Sequence, residues 1–195
     1  MAKRQSAMEG MGLKFIEIPL TGAYIIELEP FRDDRGLFAR TFCQKEFATI
    51  GFQKQIVQIN HSISRQKGSI RGMHYQAPPA CETKIIRCVQ GAVMDVMVDI
   101  RNDSSTFLAW YGVELSKENM RMVLIPEGFA HGFQTLTALV ELIYHHSAFY
   151  SPEHERGLRY DDPALAIHWP LKVSDLSERD KNYPLLGKDF SGIQC

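Results

Sequence analysis

The sequence predicts an all-β domain, an antiparallel sandwich or barrel with a few short helices. Three observations support this. Apolar and polar residues alternate with a period of two through most of residues 15–150, polar turn signals separate the alternating stretches, and helical patterns are scarce. A chain of 195 residues can bury one sizeable core. We therefore expect a single domain over residues 13–195, preceded by a polar, flexible N-terminal extension at residues 1–12.

The clearest strand is Gly91–Ile100, where Met94, Val96 and Val98 share one face. Asp95 lies on the other face, so this strand is predicted to have one apolar side. Turn signals such as Asp34-Arg35-Gly36 and Pro126-Glu127-Gly128 separate the strands. The other strands that the alternation predicts are Ala23–Leu28, Gln55–Ser62, Lys84–Gln90, Leu108–Leu115, Met120–Ile125 and Val140–Tyr150.

Helical signals are limited to Gln44–Thr49 and Ser174–Lys181, each of which predicts one short turn of helix. The segment after Trp169 is polar, but scattered apolar residues can attach it to the body of the domain. We expect it to clasp the β domain through Leu171, Val173, Leu176, Tyr183, Leu185 and Leu186.

Charge and cysteine content exclude several classes of protein. Lys and Arg total 22 and Asp and Glu total 23, so the basic excess of a typical nucleic-acid-binding protein is absent. The four cysteines have neither CxxC nor zinc-ligand spacing, which predicts reduced thiols that act as small apolar fillers. No apolar run approaches the roughly 20 residues of a membrane helix, and no signal-peptide core is visible. We expect a cytoplasmic protein with no membrane partner.

The stretch Pro126–Phe133 contains the spacing P-x-G-x-x-H, which matches the second half of the cupin motif. In a cupin barrel its histidine, here His131, points into the cavity. The first half of the motif normally supplies H-x-H to a metal, but the corresponding Arg71–Gln76 contains only His74. A stable transition-metal site needs at least three good ligands. The sequence therefore predicts acid–base chemistry with no metal and no cofactor.

Several further motifs occur together in collinear order, and their set resembles the dTDP-4-dehydrorhamnose 3,5-epimerases and similar dTDP-sugar epimerases. The resemblance runs from about Phe15 to Asp180. The motifs that carry it are Asp34-Arg35-Gly36 with Phe38, Gln58–Ser62, Arg71–His74, Asp99-Ile100-Arg101, Ile125–Phe133, Tyr150–Glu153, Asp161–Pro163, Trp169-Pro170 and Leu176–Asp180.

The resemblance implies a metal-free cupin jelly roll that forms a homodimer. It implies a nucleoside-diphospho-4-keto-6-deoxyhexose substrate, with dTDP-4-dehydro-6-deoxyglucose converted to dTDP-4-dehydrorhamnose. It also implies that His74 is the base, Tyr144 the acid and Asp180 the group that orients the histidine, while Lys84 lies near the 4-keto oxygen. The positions implied for nucleotide and sugar binding are Arg35, Gln58, Asn60, Arg71, His131, Tyr150, Glu155 and Arg179.

The chemistry of these residue types fits the implied roles. A 4-keto group acidifies the hydrogens on C3 and C5, because the resulting carbanion is an enolate. At neutral pH a histidine accepts a proton and a tyrosine donates one. A carboxylate on the far ring nitrogen fixes the histidine tautomer, and a lysine can stabilise the enolate oxygen.

Strand parity tests the placement of the motif residues. Tyr144 shares a strand face with His146, and Gln58 shares one with Asn60, as a common cavity wall requires. Arg71 and His74 have opposite parity and would face apart in a regular strand. We expect a bulge at Gly72 that turns both inward.

The chain also departs from the family pattern, and two other functions remain open. Arg40 stands where the family usually has Glu, which leaves the nucleotide base open, and Glu82 stands where the family often has Gln. His145 and His146 form an unusual polar pair after Tyr144 and receive no role, nor do His61, His154 and His168. The alternatives are a metal-dependent cupin enzyme and a cupin that binds sugar nucleotides without turnover.

Overall fold

A computed structural model describes residues 12–195, so residues 1–11 of the expected extension lie outside the described part of the chain. The chain forms two antiparallel sheets and a hairpin. The strands are β1 (Leu13–Glu17), β2 (Tyr24–Leu28), β3 (Phe31–Asp33), β4 (Gly36–Phe38), β5 (Gln58–Ser64), β6 (Ile70–Gln76), β7 (Lys84–Gln90), β8 (Ala92–Asp99), β9 (Trp110–Ser116), β10 (Met122–Ile125), β11 (Phe129–Thr135), β12 (Val140–His146) and β13 (Glu155–Gly157).

One sheet has the strand order β1-β2-β10-β7-β12-β5, the other has the order β13-β6-β11-β8-β9, and β3 pairs with β4. The helices are α1 (Gln44–Phe47) and α2 (Glu178–Lys181), with 3-10 turns at Ala48–Ile50 and Pro152–His154. Neither of these described helices has the length and apolarity needed to cross a membrane. The predicted all-β fold with few short helices is confirmed.

The core fills the space between the two sheets. Met97 and Leu115 of one sheet meet Ile86, Val123 and Leu142 of the other, and all five are buried. A second apolar cluster, centred on Phe47, covers the outer face of the larger sheet. This packing leaves one end of the sandwich free for polar side chains.

The expectation that β8 has a single apolar side is wrong, because both faces of this strand are buried. Val96 and Val98 face outward from the sandwich, where Leu158 and Leu165 cover them. The chain that follows β13 supplies this cover, so the alternation of β8 reflects two packing partners rather than one face in water.

The C-terminal segment clasps the smaller sheet, as expected, but Leu185, which was among the residues predicted to attach it, is 50% exposed. The side-chain amide of Gln134 accepts a hydrogen bond from the Leu171 backbone N–H and donates one to its carbonyl. Farther along, Asp175 forms a parallel bridge with Ser69, and Ile193 exchanges backbone hydrogen bonds with Ile100 and Asn102. The clasp therefore fixes the segment that carries α2 beside β6.

The bulge predicted at Gly72 is confirmed by the pairing of β6 with β11. His74 pairs with His131 and Arg71 with Phe133, so three steps along β6 match two steps along β11. Gly72 has φ +119°, and a Cβ there would lie 2.6 Å from the Gly132 Cα. Only glycine fits this close approach, and the extra residue gives Arg71 and His74 the same cavity face.

The expectation that all four cysteines are free is wrong, because Cys81 and Cys195 form a disulfide. These residues are 114 positions apart, and the backbone bonds of Ile193 bring the chain end to the loop that carries Cys81. The spacing of the cysteines in the sequence does not predict this pairing. Cys43 and Cys88 are free, and burial raises the pKa of the Cys88 thiol to about 11.

Substituting Cys195→Ser is expected to lower the free energy of unfolding by about 2–5 kcal/mol, since the disulfide closes a long loop in the unfolded chain. Chemical denaturation followed by circular dichroism measures this change. Cys43→Ser is the matched control, because its thiol is free. An unfolding midpoint of the wild-type protein that is identical with and without reductant would contradict the prediction.

Candidate active site

A polar cavity of about 490 Å³ opens between the two sheets. Its walls come from β5, β7 and β12 of the larger sheet, from β6 and β11 of the smaller sheet, and from the segment around α2. The lining residues are Asn60, Ser62, Ile70, Arg71, His74, Lys84, His131, Phe133, Tyr144, His146, Asp175, Ser177, Arg179 and Asp180.

His74 projects into the cavity from β6 and is held by Asp180. The His74 Nε2 lies 2.7 Å from the Asp180 Oδ1, and Asp180 Oδ2 accepts a hydrogen bond from the Gly72 backbone N–H. Burial alone would raise the pKa of Asp180, but the hydrogen bond with His74 holds that pKa below its usual value. The carboxylate therefore takes the Nε2–H, which leaves Nδ1 as the ring atom that can accept a proton.

Asp180 reaches this position because Ser177 begins α2. The Ser177 Oγ accepts a hydrogen bond from the Asp180 backbone N–H, so the cap fixes the turn that aims the carboxylate at β6. Asp180 is 2% exposed, so the carboxylate is not solvated as a residue of a polar tail usually would be.

Tyr144 enters the same cavity from β12, on the opposite sheet from His74. Its ring stacks on His146 at 6.0 Å between centroids and meets His131 edge-on at 6.1 Å. Burial, reinforced by the negative charge of Asp95, raises the pKa of Tyr144 well above its usual value. The phenol is therefore protonated at neutral pH and can donate its proton.

Lys84 and His131 complete the polar interior. The Lys84 Nζ lies 3.2 Å from the Glu82 Oε1, and the His131 Nε2 lies 2.8 Å from the Asp95 Oδ2. The second oxygen of Asp95 is buried and has no hydrogen-bond partner among residues 12–195. His131 faces the cavity, as its position in the P-x-G-x-x-H spacing predicts.

The other predicted binding residues divide into two groups. Asn60, Arg71 and Arg179 line the cavity. Gln58, Tyr150 and Glu155 lie at its rim, where they hydrogen-bond to the lining residues or to each other: Gln58 donates to Asn60, and Glu155 accepts from Arg179 and from Tyr150.

Arg35 is the one predicted site residue that the structure does not bring to this cavity. It lies on the exposed hairpin β3–β4, where its guanidinium donates to the Asp33 carboxylate. Within a single chain this hairpin does not line the cavity. Arg40 pairs with Glu46 at 2.9 Å and is likewise absent from the cavity wall.

The cavity residues do not fit a metal ion. Among residues 12–195 no group of three or more His, Cys, Asp or Glu side chains is arranged to hold one. Three histidines line the cavity, but each makes a close hydrogen bond to a different carboxylate instead of converging on one point. This donor set favours proton transfer.

Comparison with known proteins shows the family of this chain. A family model described as dTDP-4-dehydrorhamnose 3,5-epimerase matches residues 17–188. The chain belongs to the dTDP-4-dehydrorhamnose 3,5-epimerase family. It is 44% identical over 171 residues to the enzyme of that name from Shigella flexneri, and the aligned region covers 87% of this chain and 94% of the relative.

Solved structures of dTDP-4-dehydrorhamnose 3,5-epimerases share the fold. The enzyme from Bacillus anthracis str. Ames, with TDP and PPi bound, has a TM-score of 0.87 and 43% identity, covering 90% of this chain and 100% of that one. A dTDP-6-deoxy-D-glucose-3,5-epimerase from Legionella pneumophila, in complex with dTDP-4-keto-L-rhamnose, has a TM-score of 0.85 and 41% identity, covering 89% and 93%. The predicted cupin-type jelly roll and the predicted family are thereby confirmed, and neither alternative function is favoured.

Four polar residues of this epimerase cavity have no role predicted from the sequence: Ser62, His146, Asp175 and Ser177. Ser62 and Ser177 lie inside motifs that carry the resemblance, and Asp175 immediately precedes the last of these motifs. His146 shares its strand parity with Tyr144, and this parity is the sequence signal that places it on the same wall.

Proposed function

We propose that this chain epimerises a nucleotide-linked 4-keto-6-deoxyhexose at C3, C5 or both, by proton transfer between His74 and Tyr144. The observation that carries the proposal is the placement of a carboxylate-held imidazole and a protonated phenol on opposite sheets of one cavity. Inversion of a carbon centre needs a base on one face and an acid on the other, and this arrangement supplies both.

The first step removes a proton from the carbon next to the ketone. His74 Nδ1 takes the proton. The electrons of the broken C–H bond form a double bond to C4, and the C4 carbonyl oxygen takes the negative charge of the enolate. Asp180 stabilises the imidazolium that forms. The ammonium of Lys84, which is 12% exposed, stands in the wall where it can bind the enolate oxygen.

In the second step Tyr144 donates its proton to the opposite face of the same carbon, and the ketone re-forms. His74 then carries one extra proton and Tyr144 lacks one, and exchange with water restores both. No electrons leave the substrate, so the balance requires no redox cofactor.

We further propose a thymidine diphosphate substrate held by Arg71 and Arg179, and dTDP-4-dehydrorhamnose as the product. The ligands of the Bacillus and Legionella structures support this choice. Arg71 and Arg179 are the arginines of the cavity wall, and the planar fork of arginine suits phosphate oxygens.

A homodimer is proposed because apolar side chains are exposed on the β3–β4 hairpin and on β5, an edge strand of the larger sheet. Phe38 of the β3–β4 hairpin is 64% exposed, and Ile59 and Ile63 face outward on the edge strand β5. A second copy that covers these side chains would also give Arg35 a partner's cavity to enter. Analytical ultracentrifugation is expected to give twice the chain mass of 22.2 kDa. A monomer at micromolar concentration would contradict this proposal.

The predicted cytoplasmic location stays a prediction. The Cys81–Cys195 disulfide weighs against a strongly reducing compartment, where thiols are usually kept free.

The proposed reaction is tested by incubating the protein with dTDP-4-keto-6-deoxyglucose in D₂O and following the sugar by proton NMR. Deuterium is expected at C3, C5 or both, together with signals of the epimerised sugar. No exchange at either carbon with this substrate and with other 4-keto sugar nucleotides would contradict the function.

A further inference from the structure

One wall of the cavity holds an ion pair that also includes a histidine. The Glu82 carboxylate lies 3.2 Å from the Lys84 Nζ through one oxygen and 2.7 Å from the His146 Nδ1 through the other. All three side chains are nearly buried, with exposures of 9%, 12% and 11%. The structure joins Glu82 and His146 in one hydrogen bond.

The hydrogen bond to Glu82 determines which ring nitrogen of His146 is the donor. Because the Nδ1–H donates to Glu82, the other ring nitrogen is an acceptor, and it lies 3.3 Å from the Asn60 side-chain nitrogen. The Asn60 oxygen in turn accepts from Gln58. A continuous polar chain therefore runs from Lys84 to Gln58 along the wall that holds Tyr144.

Sheet register produces this chain. His146 lies opposite Lys84 on β7 and opposite Gln58 on β5, while Tyr144 lies opposite Asn60. Glu82 precedes β7 by two residues, which brings its carboxylate between the two side chains.

Glu82 is an anion in this setting. Burial alone would raise the pKa of Glu82, but the hydrogen bond from His146 and the charge of Lys84 hold it below its usual value. Both carboxylate oxygens are used, and among the described residues Glu82 is the polar partner that restrains Lys84. Lys84 and Asn60, which both line the cavity, are thus held by groups that lie behind them.

We propose that Glu82 and His146 are positioning residues for the reaction, an inference that rests on the proposed function. Glu82 holds the Lys84 ammonium at the place where the enolate oxygen develops. His146 locks the Glu82 carboxylate, orients the Asn60 amide and keeps the Tyr144 ring in place by stacking on it. A displacement of about 1 Å at such a charge reduces catalysis far more than substrate binding.

The test measures deuterium incorporation in D₂O for Glu82→Gln, which keeps the shape of the side chain and removes its charge. We expect kcat to fall about 10–100-fold with KM within about threefold, since the change acts on the charged transition state. In a Lys84→Met background the same substitution is expected to have no further effect, because Glu82 acts through Lys84.

His146→Leu provides a second variant, with His145→Leu as its matched control. His145 is the adjacent residue of the same type and lies outside the cavity, with its Nδ1 at the Ile85 carbonyl. We expect His146→Leu to reduce kcat about tenfold or more and His145→Leu to leave it within about twofold, while thermal melting confirms that each variant is folded.

Three outcomes would overturn the proposal while the wild-type protein is active: an unchanged kcat in Glu82→Gln, an equal loss in the Lys84→Met background, or equal losses for His145→Leu and His146→Leu. A wild-type protein that exchanges no deuterium would instead overturn the proposed function, so the two failures are distinguishable.

Discussion

His74→Ala is expected to abolish epimerisation and deuterium exchange together. His74 is the cavity imidazole held by Asp180, and its Nδ1 is the proton acceptor of the first step. Without it no enolate forms, so both readouts depend on a group that is gone. Removal of a general base of this kind lowers kcat by about 10²–10⁴-fold.

Exchange at C3 and C5 is measured by NMR in D₂O, with His168→Ala as the control. His168 is exposed and lies against Trp110, away from the cavity. A wild-type exchange rate in His74→Ala would show that another group takes the proton.

Tyr144→Phe is expected to separate exchange from inversion. The substitution removes the hydroxyl and keeps the ring contacts with His131 and His146. His74 can still remove the substrate proton and return a deuteron to the same face, so exchange with retained configuration should persist. Inversion should fall by about 10²–10⁴-fold, because the acid of the opposite face is missing.

The measurement compares deuterium incorporation with the appearance of the epimerised sugar over the same time course. Tyr75→Phe is the control, because Tyr75 packs in the outer cluster beneath the C-terminal clasp. If exchange and inversion fall by the same factor in Tyr144→Phe, the phenol is needed to form the enolate, and its assignment as the donor of the second step is wrong.

Features with a local cause could be predicted from the sequence. The period-two alternation placed β7, β8 and β10, because buried strand faces impose that pattern. The bulge followed from a conflict of parity between Arg71 and His74 with a glycine between them, and the pairing of β6 shows it. The placement of the catalytic groups followed from the resemblance.

Features that depend on contacts distant in sequence could not be predicted. The burial of the outer face of β8 requires the C-terminal clasp, and the Cys81–Cys195 pair requires the chain end to return to a loop 114 residues earlier. The hydrogen bond of Glu82 with His146 depends on the register of β7 against β12. None of these leaves a periodic signal.

The base and the acid lie on different sheets, and this affects how the choice between C3 and C5 epimerisation can evolve. The sugar lies in the space between the two sheets, so the distance between the sheets sets the distance between the base and the acid. Elsewhere in the interior, large side chains such as Met97 and Leu115 fill the space between the sheets and set that distance. Close-packed interiors transmit a change of one methylene. Smaller or larger side chains at these core positions therefore change the distance between His74 and Tyr144 and leave every reactive group intact.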